Sequence, residues 1–312
     1  MATETSTEEF AISRWQAFKF RLTENGMLVL FLLPALLILI ITQGYPLAYS
    51  AYFSTFDWAL ARSPKPGAFI ELGNYTRALH DPVFIGAAKT TIRFALTATL
   101  FEMLVGFALA YLTVGEGLFV QFSRTLLIMP MVIAPVAVGT MWRMMFSARA
   151  GLINYLLGKV GISGPDWLGD PSVALNSLIL VDVWEWSPFV MVIYSAALTS
   201  LPAEPFRAAR VDGASRWQIF RHITLPLLMP VTFLILMFRL VDALLTLDIV
   251  VTTTFGGPGF KTNTLSFWIY QQGLRYFNIS YSAATSWMLL IGCLLLAVVL
   301  LAVRQRLTRW QG

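Results

Sequence analysis

LPAEPFRAARVDGASRWQIFRHITLPLLMP, Leu201 to Pro230, holds four arginines and no long apolar run, yet the segments on either side of it are apolar enough to live in lipid. Pro205 suits the first turn of a helix, because it gives up an N–H that has no partner there, and Gly213 suits the left-handed residue that ends one. A short helix over about 204–212 is predicted. Ser215, with Gln218 three residues on, has the pattern of a capping box, so a second short helix is expected through Trp217, Phe220 and Ile223. Pro226 and Pro230 then mark the entry to a membrane helix. Glu204, Arg207 and Arg210 share one face of the first helix, and Phe206 and Ala209 lie on another. From these residues alone two readings stand level. One is a solvated loop whose arginines snorkel and set orientation. The other is a docking site, since a short amphipathic helix laid in a groove is a common recognition mode.

The rest of the chain supplies the setting. Of its 312 residues 57% are apolar and 12% charged, which marks a polytopic membrane protein. The net charge of +5 reflects Lys and Arg in cytoplasmic loops and not nucleic-acid binding. Cys293 is the only cysteine, so no disulfide framework or thiolate cluster can form within the chain. Residues 1–26 are polar, with Arg14, Lys19 and Arg21 before the first apolar run and no small-residue cleavage site, and read as a cytoplasmic tail. Apolar runs follow at 27–50, 86–114, 125–147, 173–199, 224–252 and 285–303, each near the roughly 20 residues that cross about 30 Å of hydrocarbon. The expectation is an all-α membrane protein of six transmembrane helices forming one domain over 27–303, with a loop at 200–226 and a second tail at 304–312. No alternating strand pattern competes with it.

With the N-terminus inside, the cytoplasmic segments hold eleven Lys and Arg residues and the outer loops seven, spread over longer stretches. The bias puts both termini and the quoted stretch inside, with the outer segments 53–85 and 253–284 long enough to form a rim. Trp58, Trp167, Trp268 and Trp310 lie near span ends and read as interface anchors.

Few ionisable residues fall in the apolar runs. Glu102, Asp182, Glu185, Arg239 and Asp242 must face protein or water, because each costs about 2.5–3.5 kcal/mol against lipid on insertion scales. Arg239 and Asp242 are three apart and can pair. Asp182 and Glu185, flanked by Trp184 and Trp186, lie at comparable depth in a neighbouring span. Such pairs serve helix packing. They also suit a polar, aromatic-lined path for a hydroxylated solute, with Thr246 on the Arg239 face. His80 and His222 fall in loops on opposite sides of the membrane, so no metal pair is expected, and no catalytic set is evident.

The spacing Arg207-Ala208-Ala209, three residues, Gly213, nine residues, Ile223, one residue, Leu225-Pro226 resembles the E-A-A loop of binding-protein-dependent ABC transporter permeases. Asp212-Gly213-Ala214, Ile223 to Leu227, and Thr254-Phe255-Gly256-Gly257-Pro258 followed by Thr264-Leu265 are similar to its maltose-permease-like branch, which carries sugars, polyols and glycerol phosphates. Arg207 stands where that family usually has glutamate, which reverses a charge at the docking surface. The resemblance implies the type I ABC importer permease fold in a bacterial or archaeal inner membrane. It also implies a second permease subunit, a cytoplasmic ABC ATPase dimer that takes the loop, and an extracytoplasmic solute-binding protein. ATP and Mg would belong to the ATPase, since the only Gly-Lys pair here, Gly158-Lys159, is followed by Val160 and lacks the upstream glycine of a phosphate loop. This chain is then a non-catalytic subunit with no cofactor of its own, whose surroundings are membrane lipid. An ion-coupled secondary transporter, using the span carboxylates as ion sites, is the alternative.

Overall fold

Proline and glycine punctuate long apolar helices throughout the computed structural model, which describes residues 31–115 and 117–307. Among the described residues, five helices are long and apolar enough to cross a membrane, or six if one sharply bent pair counts as a single span. The expected tail 1–26 lies outside the described residues, as do 308–312 with Trp310.

The chain divides into two units at Phe53. Within the first, α1 (Phe31–Phe53) carries Tyr45, Tyr49 and Phe53 four residues apart, so their rings meet on one face at centroid distances of 6.0 and 4.3 Å. Over Ile40–Gly44 the helix widens to a π turn. Thr42, four residues before Pro46, sits in the middle of that turn, so the carbonyl that the proline ring would strike is displaced.

The second unit opens with an outer segment tied by an antiparallel bridge, Phe56 to Phe69. Asn74, at the start of α2 (Gly73–His80), donates to the Ser54 and Phe56 carbonyls. Asp81 caps α3 (Pro82–Leu112) by accepting from the Val83 and Phe84 amides, with Pro82 pre-set in the first turn. Lys89 and Arg93 are exposed early in α3. The buried stripe of α3 includes Ala95, Ala98, Gly106 and Ala110, small enough for α7 (Ala174–Thr199) to lie close. At Gly106 a β-carbon would fall 2.5 Å from Val190 Cβ and 2.7 Å from the Ser187 carbonyl.

The expected span at 125–147 is instead two helices, α4 (Leu118–Val132) and α5 (Pro135–Met145), bent by 95°. Pro135 disfavours helical geometry at the residue before it, and Ala134 adopts φ −61°, ψ 133°. Hydropathy runs through the break unchanged, which is why a single span is expected there. Short α6 (Leu152–Lys159) leads to α7, then α8 (Ala203–Val211) and α9 (Arg216–Leu244). α10 (Asp248–Thr252), α11 (Leu265–Tyr270) and α12 (Ile279–Leu307) complete the unit. Trp268 is buried and Trp167 stacks on Phe146 at 5.4 Å, so both pack inward where interface anchors are expected.

Three apolar clusters form. The first gathers Phe94, Trp142, Leu178, Leu240 and Ile249, the second Ala110, Val190, Tyr194, Leu228 and Ile235, and the third Ala78, Phe84, Leu265, Trp268 and Tyr281. Along α3, α7 and α9, buried charged residues lie between the first two: Glu102, Asp182 with Glu185, and Arg239.

Candidate functional site

Arg239 sits in α9 between Ile235 and Leu240, and is 1% exposed. Its Nε and Nη2 donate to the two carboxylate oxygens of Glu102 on α3, at 2.6 and 2.8 Å. Nη2 also donates to Asp182 Oδ2 on α7 at 3.1 Å, and Nη1 to Asp242 Oδ2, one turn along α9, at 2.6 Å. Trp186 closes one face of the guanidinium, its ring centroid 4.6 Å from Cζ. One arginine thus joins three helices and engages three carboxylates.

The members differ in environment. Glu102 and Asp182 are buried, whereas the Asp242 side chain is 56% exposed, so the cluster has a closed inner part and one open arm. Glu185, a turn along α7 from Asp182, is 1% exposed, and its Oε2 has no hydrogen-bond partner among the described residues. A buried oxygen left unpaired in this way is costly, and marks a place where a further donor is wanted.

Of the residues expected along a solute path, Asp182, Arg239 and Asp242 meet here, with Glu185 close by in sequence on α7. Trp184 does not. It packs edge-on against Trp142 at 5.5 Å, because two residues along a helix turn a side chain away from Asp182, whereas Trp186, four along, shares its face. Thr246 also lies apart: α9 ends at Leu244, so the Arg239 face does not reach it, and its carbonyl accepts from the Thr264 hydroxyl. Glu102 and Trp186, which the expectation does not join to Arg239, complete the cluster. A lone carboxylate in the apolar α3 is the signal for the first, and four-residue spacing from Asp182 for the second.

The loop forms the second feature. α8 ends at Val211, and Gly213 has φ 78° with its amide donating to the Arg210 carbonyl. Ser215 and Gln218 form the reciprocal capping box, with side chain to amide distances of 3.3 and 2.7 Å. Arg207, Ala208 and Asp212 are exposed, while Phe206, Ala209 and Ala214 are half-buried. The expected separate second helix is absent: from Arg216 onward the chain is one helix into the span, through Ile223, Leu225 and Pro226. A π turn at Phe220–Thr224 places His222, four before Pro226, in its widened middle, so the proline is absorbed without a break. One continuous helix therefore connects the loop to the charge cluster, with Arg216 and Arg239 about 35 Å apart at roughly 1.5 Å per residue.

A family model described as binding-protein-dependent transport system inner membrane component matches residues 102–310. The chain is 37% identical over 277 residues to a probable ABC transporter permease protein of Sinorhizobium fredii, covering 88% of each chain. It is 30% identical to the trehalose/maltose transport system permease protein of Thermococcus litoralis, over 84% of this chain and 86% of that one. Among solved structures, a bacterial ABC transporter involved in the import of the acidic polysaccharide alginate has the same fold, with a TM-score of 0.80 at 22% identity, covering 94% of this chain and 99% of the other.

Proposed function

We propose a mechanism from one premise: this chain belongs to the binding-protein-dependent transport system inner membrane components, and is a permease subunit of an ABC importer. Its solute in this reading is a carbohydrate or polyol, as for the trehalose/maltose relative. Membership in the family displaces the ion-coupled alternative.

The observation that carries the reading is the half-open Arg239 cluster inside otherwise apolar spans. Asp242 offers acceptors to hydroxyl donors, and aromatic Trp186 lies on the guanidinium that it pairs with, while Glu185 stays buried behind them. Three carboxylates around one guanidinium favour an uncharged polyhydroxyl solute over an anionic one. The faces bearing Asp182, Glu185, Arg239 and Asp242 line a cavity completed by a second permease subunit.

Drive comes from outside the chain. A cytoplasmic ATPase dimer, which binds ATP and Mg, takes the 200–226 loop in its groove through α8 and the Arg207, Asp212 and Gly213 surface. Closing of that dimer displaces the base of α9, and the continuous helix carries the movement to Arg239. A solute-binding protein delivers cargo to the rim formed by 53–85 and 253–284, with both termini of this chain in the cytoplasm. Arg207, in place of glutamate, meets an acidic partner or leaves tighter coupling to the other permease.

The test is substrate-stimulated ATP hydrolysis by the complex purified with its co-expressed ATPase and binding protein, across a panel of sugars, polyols, their phosphates, amino acids and inorganic ions. Stimulation by a neutral sugar or polyol is expected. Stimulation confined to amino acids or inorganic ions would overturn the solute class.

A further inference from the structure

Where α3, α7 and α9 end beside the loop, two grooves share a wall. The first, about 690 Å³, is lined by Leu198, Leu201, Phe206 and Ile219, with the guanidinium groups of Arg210 and Arg216 and the hydroxyl-bearing Thr224 among them. The second, about 490 Å³, runs along α3 past Phe107, Ala108 and Leu112, with Trp217 opposite. Tyr111, Arg216 and Phe220 line both.

We propose that these grooves together hold one anionic phospholipid, its phosphate at Arg216 and Arg210 and an acyl chain along α3. Three observations point to that occupant. Arg210 and Arg216 are the only charged residues among the described residues lining either groove, so the charge of the linings is of one sign. The Arg210 Nε is held by the Phe206 carbonyl at 3.0 Å, which fixes that side chain at the groove, while the Arg216 side chain has no hydrogen bond or ion pair with a described residue. A guanidinium with open donors matches a phosphate's paired oxygens.

The second groove leads away from the arginines into an apolar face. Leu112 is 77% exposed and Leu104, on the same side of α3, is 57% exposed, so an acyl chain entering between Ala108 and Trp217 continues along a surface already suited to lipid. Polar and apolar parts of the site thus follow each other in the order of a phospholipid, with an aromatic band of Tyr111, Trp217 and Phe220 where headgroup meets chain. A lipid held there ties the loop to α3, which gives the membrane a direct grip on the element that meets the ATPase. This inference rests on the spans lying in a bilayer, and does not depend on the solute or on the charge cluster.

Native mass spectrometry of the full-length chain in detergent, titrated with phosphatidylglycerol, phosphatidylcholine of the same acyl chains, or inorganic phosphate, tests it. Phosphatidylglycerol should bind at least about tenfold more tightly than phosphatidylcholine, whose choline cation offsets the same phosphate's charge and is repelled by the two arginines, and inorganic phosphate should not displace it. Arg216→Gln should remove most of that preference and Arg216→Lys should keep part of it. Arg149→Gln, outside the site, should change nothing. Equal binding of the two lipids by the unaltered chain would overturn the proposal whether or not any variant folds. So would a preference untouched by Arg216→Gln, or displacement by phosphate alone. Loss of bound lipid on adding the ATPase, with no lipid preference in its absence, would assign the grooves to protein instead.

Discussion

Arg239 and Glu102, 137 residues apart, form a two-pronged ion pair at 2.6 and 2.8 Å that bolts α9 to α3. Removing Glu102 leaves Asp182 and Asp242 as counter-charges but takes the only acceptor from the buried Nε. Glu102→Ala should therefore cost about 1–3 kcal/mol, the penalty of a buried donor left unpaired. Asp242 is different: with its side chain 56% exposed it is solvated when unpaired, so Asp242→Asn should cost only about 0–1 kcal/mol. Sequence spacing singles out Asp242 as the partner of Arg239, yet Glu102 is the buried one. Thermal unfolding in detergent should thus show a large loss for the first and a small one for the second, while both lower uptake. Equal destabilisation would mean that Asp242 is a structural member and not an open arm.

Gly106 permits the closest approach of α3 to α7. A methyl group there would need to displace Val190 or the Ser187 carbonyl, and overpacking of this kind costs about 1–3 kcal/mol. Gly106→Ala should lower the unfolding temperature, and adding Val190→Ala should restore part of the loss by opening the space. Independent, additive effects of the two changes would show that the helices do not meet there.

How far the sequence foretells this arrangement depends on the range of the interaction. The Arg239–Asp242 pair and the Ser215–Gln218 box lie within one helical turn and are legible from spacing. Glu102 is visible as a carboxylate in an apolar run, but nothing periodic connects it to a residue on α9. The bend after Val132 is written in Pro135, yet apolar residues on both sides outweigh it when hydropathy is averaged. Pro226 misleads in the opposite sense: it suggests a boundary, and the π turn at Phe220–Thr224 removes one. Trp184 and Trp186 flank the same acid in sequence, and only helical phase decides which faces the arginine.

Orientation is open to labelling. In a Cys293→Ser background, a cysteine at exposed Arg216 should react with an impermeant thiol reagent only in inverted vesicles, and one at exposed Lys65 only from outside intact cells. Reaction at Arg216→Cys from outside would place the loop on the wrong side for an ATPase.

Gly213 tests the coupling loop most directly. Its φ of 78° lies in the left-handed region, and nothing comes within 4 Å of the position a β-carbon would take. A substitution there meets no neighbour, so its effect is purely one of backbone preference, about 1–2 kcal/mol for a residue that resists left-handed geometry. Asparagine tolerates that geometry and valine does not. Gly213→Asn should then keep the turn between α8 and α9 and keep ATP hydrolysis coupled to uptake. Gly213→Val should tilt α8 away from its docking angle, and so weaken ATPase retention or raise hydrolysis without transport, while the spans stay folded because α9 begins beyond the turn with its own capping box. Matched assays of ATPase retention, solute-stimulated hydrolysis and uptake on the two variants separate geometry from bulk. If asparagine and valine behave alike, whether both harmless or both damaging, the left-handed turn is not what couples the loop to the motor.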